Sequence, residues 1–304
     1  MPSLLEMTDV PMTNILEKCG FKSVLTLRKV CHSLRNFIDD SCFKTDLDNI
    51  RITIGPNGFH VNCPNPNALL TNGFGFAKDW TTNELKIFLK LIQNSKLSCF
   101  TVNTSPDNVG GLNDLEELLK NQTRPLQTTR FGMKGSEILK VLPHLDSKIL
   151  KEIYISPADK RAANQNLDGI EKVMELEQFK NAVVLNIADC FLVLADLRKF
   201  FHFWRIRVKL HETSLEELVA LKEAFVTSTD MQSFNLGGLK LNEKQLEQVF
   251  GTPFHDPCFP LGASWFFEVQ NCKEYVLRID WHLDQLIFWK WKAKEVPQDA
   301  VVQH

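Results

Sequence analysis

One six-residue template recurs along the chain: apolar, two others, apolar, one other, apolar. It restricts the fold more than any other feature. Its copies are Leu97-x-x-Phe100-x-Val102, Thr128-x-x-Phe131-x-Met133, Leu150-x-x-Ile153-x-Ile155, Ala182-x-x-Leu185-x-Ile187, Phe203-x-x-Ile206-x-Val208 and Met231-x-x-Phe234-x-Leu236. Successive copies start 31, 22, 32, 21 and 28 residues apart. Each has the length and alternation of a half-buried strand. Between the copies, apolar residues take helical spacing over Asn83 to Gln93, Leu112 to Leu119, Ser136 to Leu142, Leu167 to Phe179 and Leu215 to Phe225. Units this short each leave an apolar face that only a neighbour can cover, so the pattern predicts an α/β array of stacked β-α units. The copies are unequal, and a non-repetitive α/β sheet is the alternative reading.

The array has different material at its two ends. Before it, Arg51-Ile-Thr-Ile54 and Phe59-His-Val61 flank Gly55-Pro-Asn-Gly58 as a hairpin, and Asn62 to Phe76 reads as a loop. After it, Trp265 to Val269, Tyr275 to Trp281 and Leu286 to Trp291 read as three strands of an antiparallel meander. Asn271-Cys-Lys-Glu274 and His282-Leu-Asp-Gln285 are its turns, and the alternating Trp of Phe288-Trp-Lys-Trp291 belongs to the core. In the run from Arg198 to Lys209, cations interleave with aromatics. As a strand of period two it puts Arg205, Arg207 and Lys209 on a wet face, with Ile206, Val208 and Leu210 opposite.

Composition excludes several function classes. The 304 residues carry 35 Lys plus Arg against 37 Asp plus Glu, a formal charge of -2, so no global field draws the chain to nucleic acid or anionic lipid. Eight cysteines without a C-x-x-C pair suggest neither a disulfide scaffold nor a metal knuckle. The opening Met1-Pro-Ser-Leu-Leu-Glu lacks the basic n-region of a secretory signal, and the apolar Phe191 to Ala195 is too short for a bilayer span. The expectation is a cytoplasmic or nuclear protein without a membrane partner. No G-x-S-x-G, Walker loop, H-E-x-x-H or dinucleotide fingerprint occurs, and the histidines, among them His60, His144, His202, His211, His255 and His282, lack metal-ligand spacing. We expect no catalytic residue, metal or cofactor.

The first forty-odd residues read as three short helices. Thr8 caps the first, which tolerates Pro11 in its opening turn and stops near Gly20, and Ser23 caps the second. Leu27, Val30, Cys31, Leu34, Phe37 and Ile38 then recur at three-and-four spacing. So small a unit leaves more apolar surface than it can enclose and requires a covering surface, in the same chain or on another protein. The stretch from Ser3 to Asp40, notably Ile15-Leu16, the Phe21 to Cys31 run and the closing Leu34-Arg-Asn-Phe-Ile-Asp-Asp40, resembles an F-box. The resemblance implies a three-helix module that docks on the Skp adaptor of a cullin-based ubiquitin ligase. Met7, Ile15, Leu16, Leu25, Val30 and Leu34 would face the adaptor or the module's own core.

Pro125 to Met133, the Ile138-Leu-Lys-Val-Leu-Pro-His-Leu-Asp-Ser147 run and Leu150 to Ser156 resemble the FTH domain that accompanies F-boxes, over about residues 125 to 270. That implies protein-protein interaction without catalysis. The expected architecture is thus a helical module over residues 1–48, then a β/α interaction domain over 49–304 that is similar to a leucine-rich-repeat solenoid and is closed by the meander. Arg130, Tyr154, Arg205, Arg207, Lys209, Ser233 and Asn235 would line its helix-free face and hold a protein target. Two other functions fit the residues: a nucleic-acid-binding solenoid using the basic run 198–209, and an interaction scaffold that recruits no ligase.

Overall fold

In a computed structural model of the chain, which describes residues 9–41, 43–56, 58–64, 76–104, 109–159, 165–167, 169–256 and 262–303, every named position of the six-copy template is buried. None is more than 3 % exposed. Residues two apart in a strand share a face, whereas residues three apart do not. The last two template residues therefore point inward from the strand, and in the later copies the first one reaches the core from the turn before it, as Leu150, Ala182, Phe203 and Met231 do.

The chain forms two units, Met1–Lys151 and Glu152–His304. The first opens with α1 (Asp9–Lys18), α2 (Phe21–Leu27) and α3 (His32–Asp40). Next come β1 (Asn49–Gly55), β2 (Gly58–Cys63), β3 (Phe76–Trp80), α4 (Thr82–Ile92), β4 (Leu97–Asn103), α5 (Val109–Lys120) and β5 (Thr128–Lys134). Strands β5, β4 and β1 run parallel, and β2 and β3 continue antiparallel from β1. Thr81 and Glu84 cap α4 reciprocally, satisfying two backbone donors that a helix start leaves open. Gly58, at φ +140°, closes the β1–β2 turn where any Cβ would stand 2.5 Å from the Trp80 carbonyl oxygen.

The second unit contains β6 (Glu152–Ser156), β7 (Gln165–Asn166), α6 (Ile170–Glu175), α7 (Glu177–Asn181), β8 (Val184–Ile187) and β9 (Phe191–Leu192). It continues with β10 (Arg205–Lys209), α8 (Leu215–Thr227), β11 (Ser233–Gly237), α9 (Glu243–Phe250), β12 (Gly262–Val269), β13 (Cys272–His282), β14 (Gln285–Lys292) and β15 (Val302–Gln303). Strands β6, β8, β10 and β11 are parallel neighbours. Strand β14 pairs antiparallel with β11, β13 with β14 and β12 with β13, while β15 adds parallel to β12. The short β7 and β9 pair separately. The chain is thus a mixed α/β protein with a helical N-terminal region and mixed parallel and antiparallel sheet.

Several local expectations change. Ser23 lies inside α2, whose N-terminus is capped from a distance: the Phe21 N–H donates to the Asp46 carboxylate at 2.8 Å. Strand β2 runs on to Cys63, and Phe76–Trp80 is a strand although Lys78 and Asp79 disfavour one, because pairing with β2 decides the matter. Residues 65–75 of the expected loop, with Met7 and Thr8, lie outside the described residues. Ser136 to Leu142 forms 3-10 turns at Ile138–Lys140 and Leu142–His144, where Pro143 cannot continue a helix. Leu167 to Phe179 breaks into α6 and α7 at the extended Leu176. Helix α9 is additional, and its Asn242-x-x-Gln245 capping box with Leu246 and Phe250 one turn apart is a legible signal. The hairpin turns are narrower than expected, with Asn271 and Leu283 at φ near +57° and +58°.

Candidate functional site

Two surfaces in the chain are candidates for binding a partner. In the first, Met12 and Leu16 of α1, Phe21 and Val24 of α2, and Leu34 and Ile38 of α3 turn inward, each 5 % exposed or less. Arg28 clamps the turn between α2 and α3 through two bonds to Asp39, 2.6 and 2.8 Å. That carboxylate raises the Arg28 guanidinium above its ordinary value. Cys31 caps α3, its Sγ accepting from the Leu34 N–H at 3.4 Å.

This geometry sorts the adaptor candidates. Leu16 and Leu34, expected at the adaptor or in the module's own core, lie in the core at 2 % and 5 % exposed. Ile15 and Leu25 are half-buried, with Leu25 lining a cleft opposite Trp80 and Phe88. Val30 is 66 % exposed, and Val10, absent from the expected set, is 71 % exposed. Met7 lies outside the described residues. Helical spacing identifies the apolar stripes but not which stripe the module keeps for itself.

The second surface is a sheet face in Glu152–His304. Register places Tyr154, Asn186, Arg207, Asn235, Ile287 and Asp280 in one lateral row. A neighbouring row holds Arg205, Ser233, Trp289, Arg278 and Phe266. Of the expected target-binding residues, Tyr154, Arg205, Arg207, Lys209, Ser233 and Asn235 all lie on these strands. Arg130 belongs to the other unit, exposed on β5 with its Nε donating to the Ser98 carbonyl at 3.4 Å. Strand β10 alternates as expected, with Arg205 and Arg207 exposed and Ile206 and Val208 buried.

The face is less basic than the run 198–209 suggests. Arg207 binds Asp189 twice, at 3.1 and 2.5 Å, and that carboxylate raises its pKa. Arg198 lies 3.6 Å from Asp196. The Arg205 guanidinium lies over one face of the Trp204 ring at 4.7 Å, and the ring stays 41 % exposed. Phe288 is buried, but Trp289 and Trp291 are not core as expected: they stand on the opposite side, only partly buried and 4.7 Å apart. Arg278 lies within 5.0 to 5.6 Å of the Phe266, Trp289 and Trp291 rings and bonds Asp280, which also accepts from Trp289 Nε1. Sequence reasoning missed this aromatic and arginine group because it depends on the register of β12, β13 and β14 and on which face each strand turns to the core.

Among the described residues no group of His, Cys, Asp and Glu is arranged to hold a metal ion, and no helix is long and apolar enough to cross a membrane. No curated protein matches the chain. Two family models do, an F-box domain over residues 4–46 and an FTH domain over residues 111–254. The first covers α1 to α3, and the second covers five of the six template copies. F-box domains in general belong to non-catalytic substrate-recruiting subunits of Skp–cullin–F-box ubiquitin ligases, which act by protein-protein interaction. Helical module and β/α domain together make this chain an F-box protein with a C-terminal FTH domain.

Proposed function

We propose that this protein is a non-catalytic, substrate-recruiting subunit of a Skp–cullin–F-box ubiquitin ligase, working in the cytoplasm or nucleus. Residues 1–48 bind the Skp adaptor, and through it a cullin; residues 49–304 bind a protein target. Catalysis is left to a conjugating enzyme held nearby, the receptor's contribution being proximity. The observation that carries the reading is the pair Val10 and Val30, more than half exposed on a helical module that buries Met12, Leu16, Phe21, Val24, Leu34 and Ile38. With Ile15 they form the proposed adaptor surface, while Leu16 and Leu34 support it from beneath. We read the parallel run β6, β8, β10, β11 as a leucine-rich-repeat-like array closed by the β12 to β14 meander. Its Tyr154, Arg205, Arg207, Lys209, Ser233 and Asn235 touch the target, with Arg130 on β5 as a further contact. The aromatic and arginine residues beside them suit this role, since Trp, Tyr and Arg dominate binding hot spots. The test is capture of the Skp adaptor by the full chain: wild type binds, and Val10→Asp with Val30→Asp does not, while both melt at the same temperature. Failure of the folded wild-type chain to bind overturns the reading.

A further inference from the structure

Helix α2 shows two different sides. Phe21 and Val24 enter the core, whereas Lys22, Leu25 and Thr26, with Lys29 just past the helix end, face a cleft of about 250 Å³. Its other wall is β3 and α4, through Lys78, Trp80, Glu84, Ile87 and Phe88. The floor is aromatic and rigid. Trp80 and Phe88 lie 4.5 Å apart, Phe21 meets Phe88 edge-on at 5.5 Å, and none of the three is more than 5 % exposed. The rim is cationic but not evenly so. Lys78 already binds Glu84 at 2.8 Å, and Arg28 is taken by Asp39. Lys22 and Lys29 are exposed and have no acidic partner among the described residues. An apolar concavity flanked by two uncompensated ammonium groups is unexpected on a chain whose formal charge is -2.

We propose that this cleft docks a short acidic segment of a partner protein. One apolar side chain of the segment enters between Leu25, Ile87 and the Trp80–Phe88 floor, and carboxylates on either side pair with Lys22 and Lys29. Charge complementarity sets the sign, because Glu84, the one carboxylate of the lining, is occupied by Lys78 and leaves only cations to offer. Spacing sets the form. Lys22 in α2 and Lys29 in the turn that closes it are seven residues apart, about 10 Å at a helical rise, which roughly three residues of extended peptide span, so the fitting pattern is acid, apolar, one other, acid. The cleft takes in Leu25, one of the adaptor candidates, but not Val10, Ile15 or Val30, and its reading does not rest on the ligase.

The test is fluorescence anisotropy of the full chain with a labelled Glu-Glu-Leu-Phe-Glu-Glu peptide at low salt. Saturable binding that weakens as salt rises is expected. Lys22→Glu with Lys29→Glu should lower affinity about tenfold or more, whereas Lys22→Arg with Lys29→Arg should retain it. Ile87→Gln should also weaken binding without moving the melting temperature. Three results overturn the proposal: no binding by the wild type, equal binding by the charge-reversed variant, or equal binding of a peptide with Gln for every Glu. The two readings fail separately, because the lysine variants should still capture the Skp adaptor and Val10→Asp should still bind the peptide.

Discussion

Replacing Val30 by Asp separates surface from support in the helical module. Val30 follows Lys29 in the turn between α2 and α3 and is 66 % exposed, so the free protein gains little from its side chain. Full burial of a valine is worth about 1.5–3 kcal/mol, and an adaptor that covers the exposed two-thirds would draw roughly 1–2 kcal/mol from it. Truncation to Ala therefore predicts a 5- to 30-fold loss of adaptor affinity, about 1.4 kcal/mol being tenfold. An Asp there adds the desolvation of an unpaired carboxylate and should weaken binding about 100-fold or more. The melting temperature should move by about one degree or less, since exposed substitutions stay within roughly 0.5 kcal/mol. Leu34→Ala is the contrast: at 5 % exposure it should destabilise the fold by about 2–5 kcal/mol. The assay pairs titration calorimetry against the Skp adaptor with thermal unfolding. A Val30→Asp chain that binds as tightly as wild type would refute the assignment of that face, whatever becomes of Leu34→Ala.

Other perturbations test other parts of the structure. Leu283 holds φ near +58° with its side chain 68 % exposed, so Leu283→Asn should raise stability by about 0.5–1 kcal/mol in urea unfolding, relieving left-handed strain without loss of packing. Gly58→Ala should lower it by roughly 1–3 kcal/mol, because the added Cβ meets the Trp80 carbonyl and φ is unfavourable for any L side chain. Burial holds the His144 imidazole below its ordinary pKa of 6.5, so as pH falls through that value the unfolded chain takes the proton first and stability declines. His144→Gln should shrink the difference between urea midpoints at about pH 7.5 and about pH 5.5; an unchanged difference would contradict the burial argument.

Much of the fold is legible without coordinates because it is built from local periodicity. Each template copy coincides with a parallel strand, β4, β5, β6, β8, β10 or β11, since alternation over five or six residues suffices to mark a half-buried strand. Helices α4, α5 and α8 are similarly explicit, two of them with a capping residue and a glutamate three positions on. Strand β3 is not legible: Lys78 and Asp79 argue against it, and pairing with β2 outweighs that preference.

By itself, the sequence determined that three amphipathic helices precede an array of strand-helix units and that the helices have apolar surface to spare. Only the tertiary structure decided how that surface is divided. Leu16 and Leu34 carry the same apolar signal as Val30, yet they are buried and it is not, because the division depends on which sides of α1 to α3 meet one another and the Asp46-capped start of α2. The same holds for charge. A run of cations is visible from Arg198 to Lys209, but Asp189 lies some eighteen residues before Arg207 and neutralises it across space. Periodicity is a property of neighbours in sequence, whereas exposure and ion pairing are settled by neighbours in space, and the binding surfaces of this protein depend on the latter.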